Sequence, residues 1–243
     1  TGPALRVVDM YGNATEARMQ ETERRGLTAT ASRTAYTMFA QVAANLAGGA
    51  HMVRVGDGAH IPSPTNPKVG ISTAYAVFKG GWTTPQPRPN LRSASRPGPA
   101  PTDRTWLDQA QPAYGGCLGP GLTIASGEVA AMVACLREAI AIRREGIERH
   151  RRLQTGNPIP EFNVLYGTDS KSCADEMEAH WESGTLLTIA KSKISPLAET
   201  YLHCRRELHD LNATFTLIKL PGHGGVYPMA AADACAKACH DLP

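Results

Sequence analysis

Aromatic side chains are scarce in this sequence. Only 6% of its 243 residues are Phe, Trp or Tyr, whereas 42% are hydrophobic. The chain can therefore build a core, but an aromatic-poor one. Its length allows one large domain, or a domain of about 150 residues with extensions.

A strong charge imbalance and a long apolar run are also missing. The formal net charge is +3 and the pI is near 8.5, so any contact with nucleic acid depends on a local basic patch. No run approaches the length that spans a bilayer, and the amino terminus lacks the pattern of a secretory signal. We therefore expect no membrane partner. Because the chain begins with Thr1 rather than Met, we expect a fragment or a processed product.

The six cysteines include no C-x-x-C pair and lie in segments typical of helix or strand interiors. This pattern argues against a disulfide framework and predicts an intracellular, reducing compartment. Cys235 and Cys239 are four residues apart and share one face of a predicted helix. With His203 or His240 they could form a zinc site, although buried thiols that pack as small apolar groups are the favoured interpretation.

The chain divides into a lead-in and a domain. Residues 1–50 form the lead-in, which is partly helix-permissive and carries no recognisable chemistry. Residues 51–243 form the domain, interrupted at about 83–113 by a segment rich in proline and arginine. Such a segment cannot bury enough apolar surface to fold alone. It is either a solvated linker, which composition favours, or a basic arm that touches phosphates.

Periodicity within the domain predicts five strands, and helices between and after the later strands. The strands are expected at 51–57, 69–78, 114–124, 162–169 and 214–220, and the helices at 126–152, 172–181, 196–211 and 229–240. Three hairpin strands followed by alternating strands and helices predict an α/β fold, with a mixed five-stranded sheet and helices on both faces. The basic distal end of the long helix complements the helix dipole, so it needs no ligand.

Four acids fall at comparable positions. Asp57 ends the first predicted strand, Glu128 lies in the first turn of the long helix, Asp169 ends the fourth strand, and Asp233 lies early in the last helix. An Asp-Ser pair after a strand is also typical of a simple helix N-cap. Carboxylates brought together repel each other strongly unless cations neutralise them. Mg²⁺ and Mn²⁺ suit such oxygen ligands, and a pair of them can activate water and stabilise the leaving oxygen of a phosphodiester.

Short motifs around these acids carry a resemblance to a known family. In order, they are Val55-Gly-Asp57-Gly-Ala59, Ser126-Gly-Glu128-Val-Ala-Ala, Gly167-Thr-Asp169-Ser-Lys171, Pro221-Gly-His223-Gly-Gly225 and Ala232-Asp233-Ala-Cys-Ala-Lys237. Together they resemble a type 1 ribonuclease H domain of the kind found in non-LTR retrotransposon (LINE-type) polyproteins. The resemblance covers roughly residues 51–241 apart from the insertion.

The resemblance implies an endonuclease that hydrolyses the RNA strand of RNA–DNA hybrids. It implies that Asp57, Glu128, Asp169 and Asp233 hold two Mg²⁺ or Mn²⁺ ions, with Glu128 also near the 2′-OH of the scissile nucleotide. By the same resemblance, His223 moves protons or helps to release the cleaved phosphate, a task suited to the pKa of histidine. A side chain that only stabilises its loop is the alternative for His223.

Substrate contacts are expected at five more positions. Gly58 and Ser170 are small and would let the nucleic-acid backbone approach, and Lys171, Lys191 and Lys193 are candidates for phosphate contacts. Each lysine is equally compatible with an ordinary solvated charge. The resemblance also implies a preceding reverse transcriptase module and a nuclear location.

The chain departs from the family pattern in three places. Met229-Ala230 stands where members usually have an Asn-Glu pair, Ala59 stands where a serine is usual, and the loop after the second strand is longer. Lost supporting groups predict a slow enzyme. Two alternatives therefore stay open: a catalytically weak hybrid-binding or scaffold module with the same fold, and a related nuclease that acts on DNA.

Overall fold

The computed structural model describes residues 6–8, 51–79, 111–153, 156–184, 195–220 and 227–241. Within these segments six strands form one mixed sheet, in the order β1-β4-β3-β2-β5-β6. The strands are β1 (Arg6–Val8), β2 (Met52–Pro62), β3 (Gly70–Lys79), β4 (Gln111–Gly119), β5 (Phe162–Thr168) and β6 (Ala213–Lys219). The pairs β1/β4, β4/β3 and β3/β2 are antiparallel, whereas β2/β5 and β5/β6 are parallel.

Four α-helices accompany the sheet in the described segments. They are α1 (Ile124–Arg152), α2 (Lys171–Ser183), α3 (Ser195–Asp210) and α4 (Tyr227–Ala238), and a 3₁₀ turn at Cys239–Asp241 continues from α4. No helix in the described part of the chain is long and apolar enough to cross a membrane.

The helices lie on both faces of the sheet. Gly58 of β2 faces the backbone of α1, and Tyr75 is opposite Gly58 on β3. Gly115 of β4 faces Cys239 beyond α4, and its partner on β3 is Ala76. Because neighbouring residues of a strand point to opposite faces, α1 and α4 cover opposite sides of the sheet.

The main core lies between α1, α3 and the sheet. The apolar residues predicted along the first part of α1 are buried there, namely Val129, Met132, Val133, Leu136 and Ile140. Under α4 the sheet presents small residues instead, among them Ala59, Ala74 and Ala76. Small side chains let α4 pack close to β2 and β3, so an aromatic-poor sequence still builds two layers of core.

This mixed sheet with helices on both faces confirms the predicted α/β fold. All five predicted strands are present, and the first three of them form the predicted antiparallel part of the sheet. The short strand β1, which belongs to the lead-in, pairs with β4 and adds a sixth strand at the edge.

Several boundaries differ from the sequence expectation, among them the end of the third strand, which lies at Gly119 rather than at Ile124 because the long helix begins there. The first strand does not end at Asp57 but runs on to Pro62, because Gly58 accommodates the backbone of α1 instead of making a turn. The third strand begins at Gln111, inside the predicted insertion, where it pairs with Lys79. The long helix begins at Ile124, which places Glu128 in its second turn rather than its first. The remainder of the predicted insertion lies outside the described residues.

Candidate metal centre

Three of the four predicted acids lie close together beside the central strands β2 and β5, near the carboxyl end of β5. Asp57 lies in the middle of β2, Glu128 lies in α1, and Asp169 follows the last residue of β5. Each offers a carboxylate oxygen, and these oxygens all lie within 4.8 Å of one another. Asp57 and Glu128 are buried, whereas Asp169 is half-buried. Segments more than a hundred residues apart in sequence therefore form one acidic cluster.

Strand pairing brings Asp57 and Asp169 together. In the parallel pair β2/β5, Val55 is in register with Gly167, so the two aspartates each lie two residues beyond that point. Gly58 then allows Glu128 to approach, since a Cβ on Gly58 would lie 2.6 Å from the Glu128 backbone nitrogen. A glycine next to the first acid is thus required by the distance between helix and strand.

Backbone and hydroxyl groups orient the cluster. The Gly58 N–H donates to Oδ1 of Asp57 at 2.8 Å. The Thr168 hydroxyl donates to Oε2 of Glu128 at 3.4 Å, and the Ser170 N–H donates to that hydroxyl at 3.1 Å. Ser170 is the N-cap residue of α2 but makes no side-chain capping bond. Simple capping therefore does not account for the Asp-Ser pair.

Burial and mutual repulsion raise the pKa of the cluster. Burial raises the pKa of Asp57 most, followed by the negative charges of Glu128 and Asp169. Burial also raises the pKa of Glu128, to about 7, despite hydrogen bonds from Asp57, Gly58 and Thr168. Since the charges that raise both values belong to carboxylates, the fully ionised cluster needs a cation.

The fourth acid, Asp233, adjoins the cluster but has a different partner. Its charge contributes to the raised pKa of Asp57. Its two oxygens lie 2.8 and 2.9 Å from Nζ of Lys237, one turn further along α4. Asp233 therefore joins a metal site only if its carboxylate is shared with Lys237 or released from it.

The donor set fits a hard divalent cation. It consists of carboxylate oxygens, and Mg²⁺ and Mn²⁺ prefer such ligands over nitrogen and sulfur. Asp57, Glu128 and Asp169 can bind one ion as they stand. A second ion requires Asp233.

The other predicted site residues were expected to contact nucleic acid or to assist catalysis. Gly58 serves the packing of α1, as described above, and a contact from Gly58 to nucleic acid stays a prediction. Ser170 begins α2, and Lys171 is exposed and pairs with Asp175 in the same helix. His223, Lys191 and Lys193 lie outside the described residues.

Two residues near the cluster were not predicted. Thr168 holds Glu128, and its place inside the Gly167-Thr-Asp169 motif was an available signal. Tyr166 is fully buried, and its hydroxyl is the one side-chain polar atom in the described segments that is buried without a hydrogen-bond partner. That hydroxyl occupies the space left by the missing side chain of Gly56. The sequence pattern of a strand does not show that a tyrosine on one strand fills the space beside a glycine on the next.

The chain was compared with known proteins. No protein-family model matches it, and no curated protein matches it. A foamy viral protease-reverse transcriptase, solved in complex with double-stranded DNA, is 15% identical with a TM-score of 0.46, over 79% of this chain and 95% of that chain. The N-terminal ribonuclease H domain of a Mycobacterium tuberculosis protein is 13% identical with a TM-score of 0.42, over 79% and 95%.

A further neighbour is a type 1 ribonuclease H with the type 2 active-site motif, 14% identical with a TM-score of 0.40, over 78% of this chain and 72% of that chain. Two of these three neighbours are ribonuclease H domains. With TM-scores below 0.5, the similarities add nothing to the assignment of the site, which depends on side-chain geometry alone.

Proposed function

We propose that the chain is a metal-dependent endonuclease that hydrolyses the RNA strand of RNA–DNA hybrids. The observation that carries the proposal is the meeting of Asp57, Glu128 and Asp169, whose carboxylate oxygens lie within 4.8 Å of one another. Burying like charges together costs free energy in the metal-free protein. A binding function explains why the chain keeps an arrangement that costs stability.

Asp57, Glu128 and Asp169 would hold the first Mg²⁺ or Mn²⁺ ion, and Asp233 would complete the site for a second. Bound ions of this kind polarise phosphoryl oxygens and lower the pKa of water. The protein fixes the ligands beforehand: the Gly58 N–H holds Asp57 and the Thr168 hydroxyl holds Glu128. Preorganised ligands need little rearrangement when substrate arrives.

The remaining predicted roles extend this proposal. We propose His223 as the group that moves protons or assists release of the phosphate, and Gly58, Ser170, Lys171, Lys191 and Lys193 as contacts to the nucleic acid. A hybrid duplex displays 2′-hydroxyls on one strand only, and Glu128 is proposed to lie beside them. The retroelement origin, the linked reverse transcriptase, the nuclear location and the division at residue 51 are proposed from the sequence resemblance alone.

The central test is Asp169→Asn with a labelled RNA–DNA hybrid and Mg²⁺ or Mn²⁺. We expect cleavage to be lost while the circular dichroism spectrum is retained. The matched control is Asp210→Asn, because Asp210 is exposed at the end of α3 and has no place in the cluster. Unchanged cleavage by Asp169→Asn would refute the proposal. An all-DNA duplex tested alongside distinguishes a hybrid-specific enzyme from a DNA nuclease.

A catalytically weak hybrid-binding module is the second candidate. Two observations favour it: Met229 is buried, so it replaces a polar supporting group by an apolar one, and Lys237 already binds Asp233. This candidate predicts hybrid binding with no turnover in either Mg²⁺ or Mn²⁺. Binding and cleavage measured on the same protein preparation therefore separate the two functions.

A further inference from the structure

A second group of ligand-type side chains lies under the end of α4, on the face of the sheet that this helix covers. Cys117 of β4 points to this face, as does Gly115 two residues earlier. A Cβ atom on Gly115 would lie 2.8 Å from the Sγ atom of Cys239, so this thiol lies directly over Gly115. Cys239 and His240 belong to the 3₁₀ turn that ends the described chain.

The Ser72 hydroxyl connects two of these groups. It lies 3.5 Å from Sγ of Cys117 and 2.8 Å from Nδ1 of His240. The thiol of Cys117 and the imidazole of His240 therefore approach the same hydroxyl from different elements. Cys235 lies in α4, one helical turn before Cys239, and is buried.

The thiols are close enough to influence one another. Burial, together with the neighbouring thiol of Cys117, raises the pKa of Cys239 to about 12. Burial raises the pKa of Cys235 to about 12 as well, with a contribution from Cys239. All six cysteines are free thiols.

We propose that Cys117, Cys239 and His240 form a binding site for a thiophilic divalent ion, Zn²⁺, with Cys235 as the nearest fourth ligand. Three sulfurs with one imidazole nitrogen match the Cys₃His ligand set of structural zinc sites. Binding replaces the thiol protons, which leave to solvent, by the metal ion, so each thiol enters as a thiolate. No change in oxidation state is involved.

The site requires a rotation of side chains. In the described residues, the acidic cluster is the only group of three or more ligands whose atoms already lie within 4.8 Å of one another. The ladder between β3 and β4 is irregular next to Cys117, where the register shifts between Thr73 and Ala74. Such irregularities change the direction of a side chain. The half-buried thiol of Cys117 can turn from Ser72 toward the ion, and His240 can follow from the same hydroxyl.

A bound ion would fasten the end of α4 to β4. The same helix carries Asp233, so the zinc site would fix the distance of the fourth acid from the sheet. This role is independent of whether the acidic cluster catalyses a reaction. It also explains a C-x₃-C-H sequence facing a third cysteine from a distant strand.

The test uses the full chain, reduced and freed of metal, and titrated with Co²⁺ as a spectroscopic substitute for Zn²⁺. We expect one equivalent to produce a thiolate-to-Co²⁺ charge-transfer band, and Zn²⁺ to displace it. Cys117→Ser and Cys239→Ser should each weaken binding by about 100-fold or more, because even loss of groups that only support a ligand costs about 10–100-fold. Cys204→Ser is the matched control, since Cys204 is a buried thiol on α3.

Asp57→Asn is the control for metal bound at the acids, and it should keep the thiolate band. Should a cysteine variant fail to fold, alkylation of the wild-type chain gives the answer instead: Zn²⁺ should protect Cys117 and Cys239 but leave Cys204 unchanged. The absence of a thiolate band, or a Co²⁺ affinity in Cys117→Ser equal to that of the wild type, would overturn the proposal.

Discussion

The same strand and helix, β2 and α1, carry two clusters of charged side chains that differ in their counter-charges. At one end, Asp57 of β2 meets Glu128 of α1. Three residues earlier on β2, Arg54 binds Glu138 of α1 through two bonds of 3.0 Å, one to each oxygen. Lys79 adds a second cation at 3.1 Å. One cluster is all acid, whereas the other has its counter-charges built in.

The pKa values follow this difference. Burial alone would raise the pKa of Glu138, but hydrogen bonds and charge from Arg54, with help from Tyr114 and Lys79, lower it overall. Burial raises the pKa of Glu128, and a carboxylate neighbour adds to the rise. Both glutamates lie on one helix, and burial acts to raise the pKa of each, more strongly for the buried Glu128 than for the half-buried Glu138. The presence of cations separates them.

Two basic side chains of the protein itself lie beside Glu138. Arg54 and Lys79 neutralise Glu138, and this cluster is separate from the acids at the carboxyl end of β5. At the carboxyl end of β5, where Asp169 is half-buried, three carboxylates face one another, and the proposed divalent cation would supply their counter-charge. A structural carboxylate and a binding carboxylate can therefore be told apart by their partners.

The largest expected effect is the difference in the free energy of unfolding between the single variants Glu138→Gln and Glu128→Gln. Glu138→Gln leaves Arg54 and Lys79 without their counter-charge, and breaking a buried pair costs about 3–5 kcal/mol. Because both partners keep some exposure, we expect a loss of about 2–3 kcal/mol in the free energy of unfolding. Glu128→Gln removes a repulsion, so in metal-free buffer its stability should equal or exceed that of the wild type. Urea unfolding measures both, and equal losses would contradict the comparison.

The pH dependence of stability should have opposite signs at the two clusters. The folded pKa of Glu128 is raised, so the metal-free protein binds its proton more tightly than the unfolded chain does. Stability from this group is present at low pH and is lost as the pH rises through the folded pKa. The pKa of Glu138 is lowered, so its contribution is present above the ordinary carboxyl range and is lost as the pH falls through the folded value.

Between about pH 5 and about pH 8, we therefore expect the metal-free wild type to lose about 2 kcal/mol of stability, an order-of-magnitude figure. Glu128→Gln should reduce this slope, and Asp57, whose pKa is also raised by burial, should account for the remainder. Thermal or urea unfolding across the pH series measures it. A slope that is the same in the variant and the wild type would show that the acidic cluster does not cause it.

The smallest effect concerns a hydroxyl beside the acidic cluster. Tyr166 buries its hydroxyl without a partner, and an unsatisfied buried group costs about 1–3 kcal/mol. Tyr166→Phe should therefore stabilise the fold by about 1 kcal/mol. The matched control is Tyr201→Phe, whose hydroxyl accepts a 2.8 Å bond from Arg205. That control should lose stability, and a loss in both variants would contradict the assignment.

Much of the fold was predictable, because hydrophobic periodicity predicted the five main strands and the four described helices and their order along the chain. The end of β2 was not, since a single Gly58 after an acid is also typical of a turn. Its actual cause, close packing of α1, is a tertiary contact. The start of β4 depends on pairing between Lys79 and Gln111, across the whole predicted insertion.

The candidate site was predictable in its acids but not in their partners. Short motifs selected Asp57, Glu128 and Asp169 because each joins an apolar strand or helix to glycine or small residues. The pairing of Asp233 with Lys237 was visible as an i,i+4 spacing, yet the sequence does not say whether the metal cluster or the lysine binds that acid. The Arg54–Glu138 pair spans 84 residues and left no local signal.

The most direct test of the account is the effect of Mg²⁺ on the melting temperature at a pH above the raised pKa of Glu128. Ligands that bind only the folded state stabilise it. Saturating Mg²⁺ should raise the melting temperature of the wild type and of Asp210→Asn, but leave that of Asp57→Asn nearly unchanged. An equal rise in Asp57→Asn, or no rise in the wild type, would contradict the claim that the acidic cluster exists to hold a divalent cation.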